Sequence, residues 1–108
     1  MSKAERAAPA AVFAALGDPT RLSLVMRLSD GTTRSIASLS MDAKVTRQAM
    51  TKHLRVLERA GLVRSVRAGR ETRFTLEPVA MEPALAYLET VSKQWDAALS
   101  RLKAFVES

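Results

Sequence analysis

Residues 45–63 read VTRQAMTKHLRVLERAGLV. Thr46 carries a hydroxyl that can accept from the free N–H groups of a helix start, and Gly61 can take the positive φ that ends a helix. The stretch therefore predicts a helix capped by Thr46 and running to about Ala60. Projected at about 100° per residue, its side chains separate into two faces. Ala49, Met50, Leu54, Leu57 and Ala60 fall on one side, and Gln48, Thr51, Lys52, Arg55 and Arg59 on the other. Arg47 and Glu58 lie at the border. An apolar face must pack on the rest of the domain, which leaves the basic face pointing outward.

The chain's single histidine, His53, falls on the apolar side of that wheel. The expectation is a packed imidazole hydrogen-bonded to a neighbouring element. A base or phosphate contact is the alternative, and replacement by leucine or glutamine separates the two. Metal ligation is the least favoured reading, because a site needs three or four ligands and the chain offers no second histidine and no cysteine. The same absence of cysteine removes disulfide staples and thiol nucleophiles.

Charge sharpens the reading of the outward face. Residues 44–73 carry nine basic side chains against Glu58 and Glu71, whereas the remainder of the chain has eight basic and nine acidic ones. The formal net charge of +6 is thus contributed by one segment. A localised basic block implies a polyanionic partner more than general solubility does.

Working outward, DPTRLSLVMRLSDG at residues 18–31 begins with Asp18 as N-cap and Pro19 at the first helical position. Leu22, Val25, Met26 and Leu28 follow at helical spacing, and a short helix is expected over Arg34–Ser40. On the other side, LVRSVRAGRETRFTL at residues 62–76 predicts a two-stranded hairpin with Ala68-Gly69 at its tip. Pro78 and Pro83 separate it from a long final helix over residues 81–106. The opening MSKAERAAPAAVFAALG has Glu5 among its basic residues and runs directly into the next helix start. It reads as a first helix of a cytoplasmic protein, not a cleaved signal peptide. No apolar run approaches the roughly 20 residues of a membrane span.

Five helices and a two-stranded hairpin in this order make a mainly α fold, the winged helix-turn-helix, in a single domain spanning all 108 residues. Residues 11–78 form its DNA-binding core and residues 81–106 a C-terminal dimerisation helix. Arginine and lysine can pair with guanine and glutamine with adenine in the major groove. Residues near a recognition helix's N-terminus usually meet bases and later ones the backbone. Arg47, Gln48, Thr51 and Lys52 are therefore assigned to base or near-base contacts, and Arg55 to phosphate. Arg67 and Arg70 flank the wing tip, placed for phosphates or a narrow minor groove. The competing reading of those arginines is a hairpin edge kept soluble by charge.

ALGDPTRLSLVMRL, VTRQAMTKHLRVLERAGLV and the basic wing RAGRETRFTLEP together resemble the ArsR/SmtB-type bacterial repressors, over about residues 11–78. The resemblance implies a homodimeric transcriptional regulator that binds operator DNA and dimerises through its first and last helices. Many members sense metals through cysteine pairs before the recognition helix, or through histidine and carboxylate sets in the last helix. The corresponding stretches here, TTRSIASLS and ALAYLETVSKQWDAALSRL, contain neither cysteine nor histidine. The metal-sensing half of the family's behaviour is not carried over, no cofactor is expected, and the residues identify no effector.

In the last helix Leu88, Val91, Trp95, Ala98, Leu102 and Phe105 alternate in steps of three and four, and Leu99 widens the seam. With Val12, Phe13 and Leu16 of the first helix they are expected to form a dimer interface. The plainer alternative is packing on the chain's own core, and Trp95 could instead line an effector pocket. No phosphate-cradling glycine loop or placeable nucleophile–base pair supports an enzyme. The expected function is that of a sequence-specific repressor binding an inverted repeat. A winged-helix protein-interaction module with a basic surface is the competing class.

Overall fold

The computed structural model describes residues 9–41 and 43–108. Helix α1 spans Pro9–Leu16, α2 Pro19–Leu28, α3 Ile36–Met41, α4 Arg47–Arg59 and α5 Glu82–Glu107. Strands β1 (Arg34–Ser35), β2 (Val63–Ala68) and β3 (Glu71–Leu76) form the sheet, and a 3₁₀ turn, Pro78–Met81, leads into α5.

The expected caps set the boundaries of α2 and α4. Asp18 Oδ2 accepts from the N–H groups of Thr20 and Arg21 at 2.9 and 3.1 Å. Thr46 Oγ1 accepts from the Ala49 N–H at 3.1 Å. At the other end of α4, Gly61 takes φ 81°. Its N–H donates to Glu58 O at 2.9 Å, and the Leu62 N–H donates to Leu57 O at 3.0 Å. Those two bonds are the Schellman closure, and it turns the chain into β2.

The wing differs from the expected hairpin in two respects. It is a three-stranded antiparallel sheet of order β1-β3-β2, because Arg34 and Ser35 pair with Phe74 and Arg73. The residues expected to begin the third helix thus spend their backbone groups on β3, and α3 starts at Ile36. The Ala68↔Glu71 pair also moves the tip from Ala68-Gly69 to Gly69-Arg70, with Gly69 at φ 64°. Arg70 therefore sits in the two-residue turn itself.

The core lies between the first four helices and the sheet. Leu24, Leu28, Leu39, Met50, Leu54, Leu57, Leu62 and Phe74 are fully enclosed, together with Val12 and Val63. Of the apolar residues at helical spacing in α2, Leu28 is enclosed and Val25 packs partly buried against the core. Leu24 and Leu28 are buried, while Leu22 and Met26 are exposed. In α5 only Ala84 is buried. The radius of gyration is 17.8 Å, against about 13 Å for a compact domain of this length. The excess comes from α5, a helix of 26 residues whose length of roughly 39 Å extends beyond the core.

Candidate nucleic-acid interface

Helix α4 presents the face assigned by the wheel. Arg47, Gln48, Lys52 and Arg55 are exposed, and Thr51 is half-buried with its hydroxyl donating to Arg47 O at 2.8 Å. The wing lies alongside. Arg47, Gln48 and Thr51 share an open cleft of about 420 Å³ with Arg70, Glu71 and Thr72 of the wing and Ser35–Ala37 at the start of α3. The structure thus brings the helix's N-terminal polar residues and the wing-tip arginine to the walls of one concavity.

The register of β2 and β3 sorts the wing arginines. Arg67 pairs with Thr72, and Ser65 with Phe74, so Arg67 lies on the side of the sheet that meets α4. Arg64 and Arg73 pair with Thr75 and Val66 on the opposite side. Both are neutralised by carboxylates, Arg64 by Glu77 and Arg73 by Glu71, the latter at 3.1 Å. Among the described residues, Arg47, Lys52, Arg67 and Arg70 enter no ion pair, although Arg67 Nε donates to Gly69 O at 3.3 Å. Of the four wing arginines, Arg67 and Arg70 are thus the two without an ion pair.

Arg55 is held differently. Its Nη1 donates to Glu58 Oε1 at 2.7 Å, and its guanidinium carbon stands 5.8 Å from the centroid of the Phe74 ring. Ser65 Oγ of β2 donates to the other Glu58 oxygen at 2.8 Å. Burial opposes ionisation of Glu58, but the Ser65 hydroxyl, the Arg55 hydrogen bond and the Arg55 charge outweigh it and hold its pKa below the ordinary glutamate value. This Arg55–Glu58–Ser65 link between helix and wing is absent from the sequence reading. The i,i+3 spacing of Arg55 and Glu58 was a signal for half of it.

His53 lies on the inner side of α4. Arg21 Nη1 is 3.2 Å from its Nδ1, and Asp18 Oδ2 is 3.8 Å from the same nitrogen. A guanidinium can only donate, so Nδ1 accepts and the neutral ring's proton is on Nε2. Arg21 Nε also donates to Ala15 O at 2.6 Å, which ties the end of α1, the start of α2 and α4 together. The Arg21 N–H lowers the Asp18 pKa against the opposing effect of desolvation, with help from the Thr20 N–H and the Arg21 charge. The imidazole is thus a joint between helices, as its position on the wheel predicts. Among the described residues no three His, Asp or Glu side chains lie close enough to hold a metal ion.

The residues expected at a dimer interface divide into two groups. Leu88, Trp95, Leu99, Leu102 and Phe105 of α5 are exposed, and Val91 is half-buried. Phe13 and Leu16 are partly buried against the core, and the Phe13 ring meets that of Tyr87 at 5.9 Å and 55°. Val12 is a correction, because it is wholly enclosed in the chain's own core. It can support such an interface from behind but offers it no surface.

A basic helix positioned by a helix-turn-helix and flanked by a basic wing defines a DNA-binding winged helix-turn-helix protein. The comparisons with known proteins agree. A family profile described as a helix-turn-helix domain matches residues 16–66. The HTH-type transcriptional regulator Rv2034 of Mycobacterium tuberculosis is 34% identical over 93% of this chain and 90% of its own length. An ArsR-like transcriptional regulator from Rhodococcus sp. RHA1 superposes with a TM-score of 0.72 at 38% identity, covering 90% of this chain and 91% of that one. A structure described as a possible transcriptional regulator for arsenical resistance gives 0.68 at 32% identity, covering 83% and 90%. The chain belongs to the ArsR-type family of winged helix-turn-helix transcriptional regulators. No helix among the described residues is long and apolar enough to cross a membrane.

Proposed function

We propose that this regulator is a repressor which binds an inverted-repeat operator as a homodimer and blocks transcription without a metal cofactor. Residues 11–78 read the DNA, and the C-terminal helix over residues 81–106 joins the two copies. Arg47, Gln48, Thr51 and Lys52 meet base edges or their immediate surroundings, and Arg67 and Arg70 of the wing meet the flanking backbone. Arg55 reaches phosphate only in competition with Glu58.

The observation that carries this reading is the shared orientation of four unpaired cations. Arg47, Lys52, Arg67 and Arg70 stand on α4 and on the wing beside it, while the arginines on the wing's far side are neutralised. A surface made basic for solubility alone has no reason to sort its carboxylates in this way.

Dimerisation is supported by the uncovered α5 stripe, where Trp95, Leu99, Leu102 and Phe105 are each more than half exposed. Monomeric proteins rarely leave such contiguous apolar surface in water. Pairing through it presents two α4 helices about one DNA turn apart, about 34–36 Å.

Eight cations per dimer, four in or beside the groove and four on the flanking backbone, offset the charge of about eight phosphates and release their counterions, for a log–log slope of binding against salt of about −7. A slope near zero on every duplex overturns the DNA reading and favours the protein-interaction module. That module also predicts tolerance of charge reversal at Arg70.

A further inference from the structure

We propose that Glu58 sets the strength of sequence-independent binding: it competes with DNA phosphate for Arg55 and so removes one backbone contact per protomer from the recognition helix. The inference rests on the DNA-binding reading above and assigns a role to a side chain outside the reading face.

The geometry places Glu58 where this competition is strong. Its two oxygens are engaged separately, Oε1 by Arg55 at 2.7 Å and Oε2 by the Ser65 hydroxyl at 2.8 Å. Ser65 belongs to β2, so the carboxylate is held from outside its own helix and cannot swing away with Arg55. The Phe74 ring beneath the guanidinium, at 5.8 Å, further favours the folded-down position. Arg55 is nonetheless 47% exposed, so it lies at the surface a DNA backbone would approach. A phosphate that takes Arg55 must leave Glu58 ionised and uncompensated beside the polyanion.

The consequence concerns the strength of binding to every duplex and not the choice among sequences. Non-specific binding comes almost entirely from cations that release counterions from phosphate. Arg55 lies two turns into α4, past the N-terminal positions that usually meet bases. Silencing it lowers affinity for all sequences while leaving Arg47, Gln48, Thr51 and Lys52 untouched. The excess of specific over non-specific binding, which decides occupancy among many competing sites, is preserved at lower background.

The test compares binding to an operator recovered by selection with binding to a scrambled duplex of equal length, across a salt series. Wild-type protein is expected to show a slope of about −7. Glu58→Gln keeps the size of the side chain and an acceptor for Ser65 but loses the charge. Its slope should steepen to about −9, with affinity for operator and scrambled duplex rising together by roughly three- to tenfold and the operator preference unchanged. Arg55→Gln/Glu58→Gln removes both charges together and should return the slope to about −7. Ser65→Ala retains the carboxylate but frees it from β2, and should steepen the slope part of the way from about −7 toward about −9.

A folded Glu58→Gln protein with the wild-type slope overturns the inference. If that variant does not fold, the double variant decides. A slope of about −5 there means Arg55 was a full phosphate contact in the wild type, and overturns it equally. Wild-type protein without salt-dependent binding to any duplex refutes the DNA reading itself, which is a distinct result.

Discussion

Replacing Trp95 by alanine removes the largest apolar side chain from the exposed stripe of α5. The indole is 64% exposed in the single chain, so the substitution leaves the chain's own core intact. Of the roughly 250 Å² an indole can bury, about 160 Å² is available to a second copy. At ~25 cal/mol per Å² that area corresponds to at most about 4 kcal/mol. Interfaces recover only part of such a figure, and about 2 kcal/mol per tryptophan is the ordinary value for an aromatic anchor. Two copies then weaken the dimer by about 4 kcal/mol, or roughly a thousandfold in dissociation constant. Sedimentation across a dilution series measures this directly. Trp95 is also the chain's sole tryptophan, so in the wild type its fluorescence should shift to the red as dilution separates the copies. Operator binding by the variant should become second order in protein. An unchanged dissociation constant for Trp95→Ala, or wild-type protein that sediments as a monomer throughout, refutes the reasoning.

The remaining predictions concern the interface and its supports. Gln48→Ala should relax base preference without changing the salt slope, whereas Arg70→Ala should weaken all sequences similarly and reduce the slope by about 2 per dimer. Loss of specific binding alone in both variants would refute that division of roles. His53→Gln and His53→Leu should lower thermal stability more than they alter operator choice. An equally stable His53→Gln protein with a new preferred site would reverse that assignment. Asp30 accepts from the Thr32 hydroxyl and N–H and from Arg34, which lowers its pKa from 3.8 to about 2. Asp18 and Glu58 are lowered as well. A carboxylate with a depressed folded-state pKa stabilises the fold above its unfolded value, and that contribution is lost as pH falls through the folded one. Unfolding measured against pH should therefore show stability declining from about pH 4 toward pH 2, and Asp30→Asn should flatten part of the decline. A full-sized decline in Asp30→Asn would locate the acid sensitivity elsewhere.

The reading helix was legible in the sequence because its signals are local. Thr46, the alternation of apolar and basic residues, and Gly61 each act within a turn or two of the helix they define. Asp18 and Pro19 did the same for α2. Strand β1 was not legible, since two residues have no periodicity and their pairing with Arg73 and Phe74 spans the chain. The inward face of α2 was not legible for a related reason. Leu22 and Met26 fit a helical stripe as well as Leu24 does, and only the position of the neighbouring helices selects Leu24 and Leu28.

Arg64, Arg67, Arg70 and Arg73 recur every third residue through the wing. A strand's period of two divides them between faces, and the register shows which meet carboxylates. The link from Glu58 to Ser65 likewise needs the hairpin's register before it can be seen. Val12 was assigned to a surface because the alanine-rich α1 has little to distinguish its faces, and packing encloses it.

The central claim is that α4 reads DNA sequence as one of a symmetric pair. Selection from random duplex DNA with the full-length protein tests it most directly. The account predicts enrichment of an inverted repeat whose half-sites are centred about 10–10.5 base pairs, one helical turn, apart. Substituting Gln48 should change the bases chosen. Failure to enrich any sequence, or enrichment of a lone half-site untouched by changes at Gln48, would contradict it.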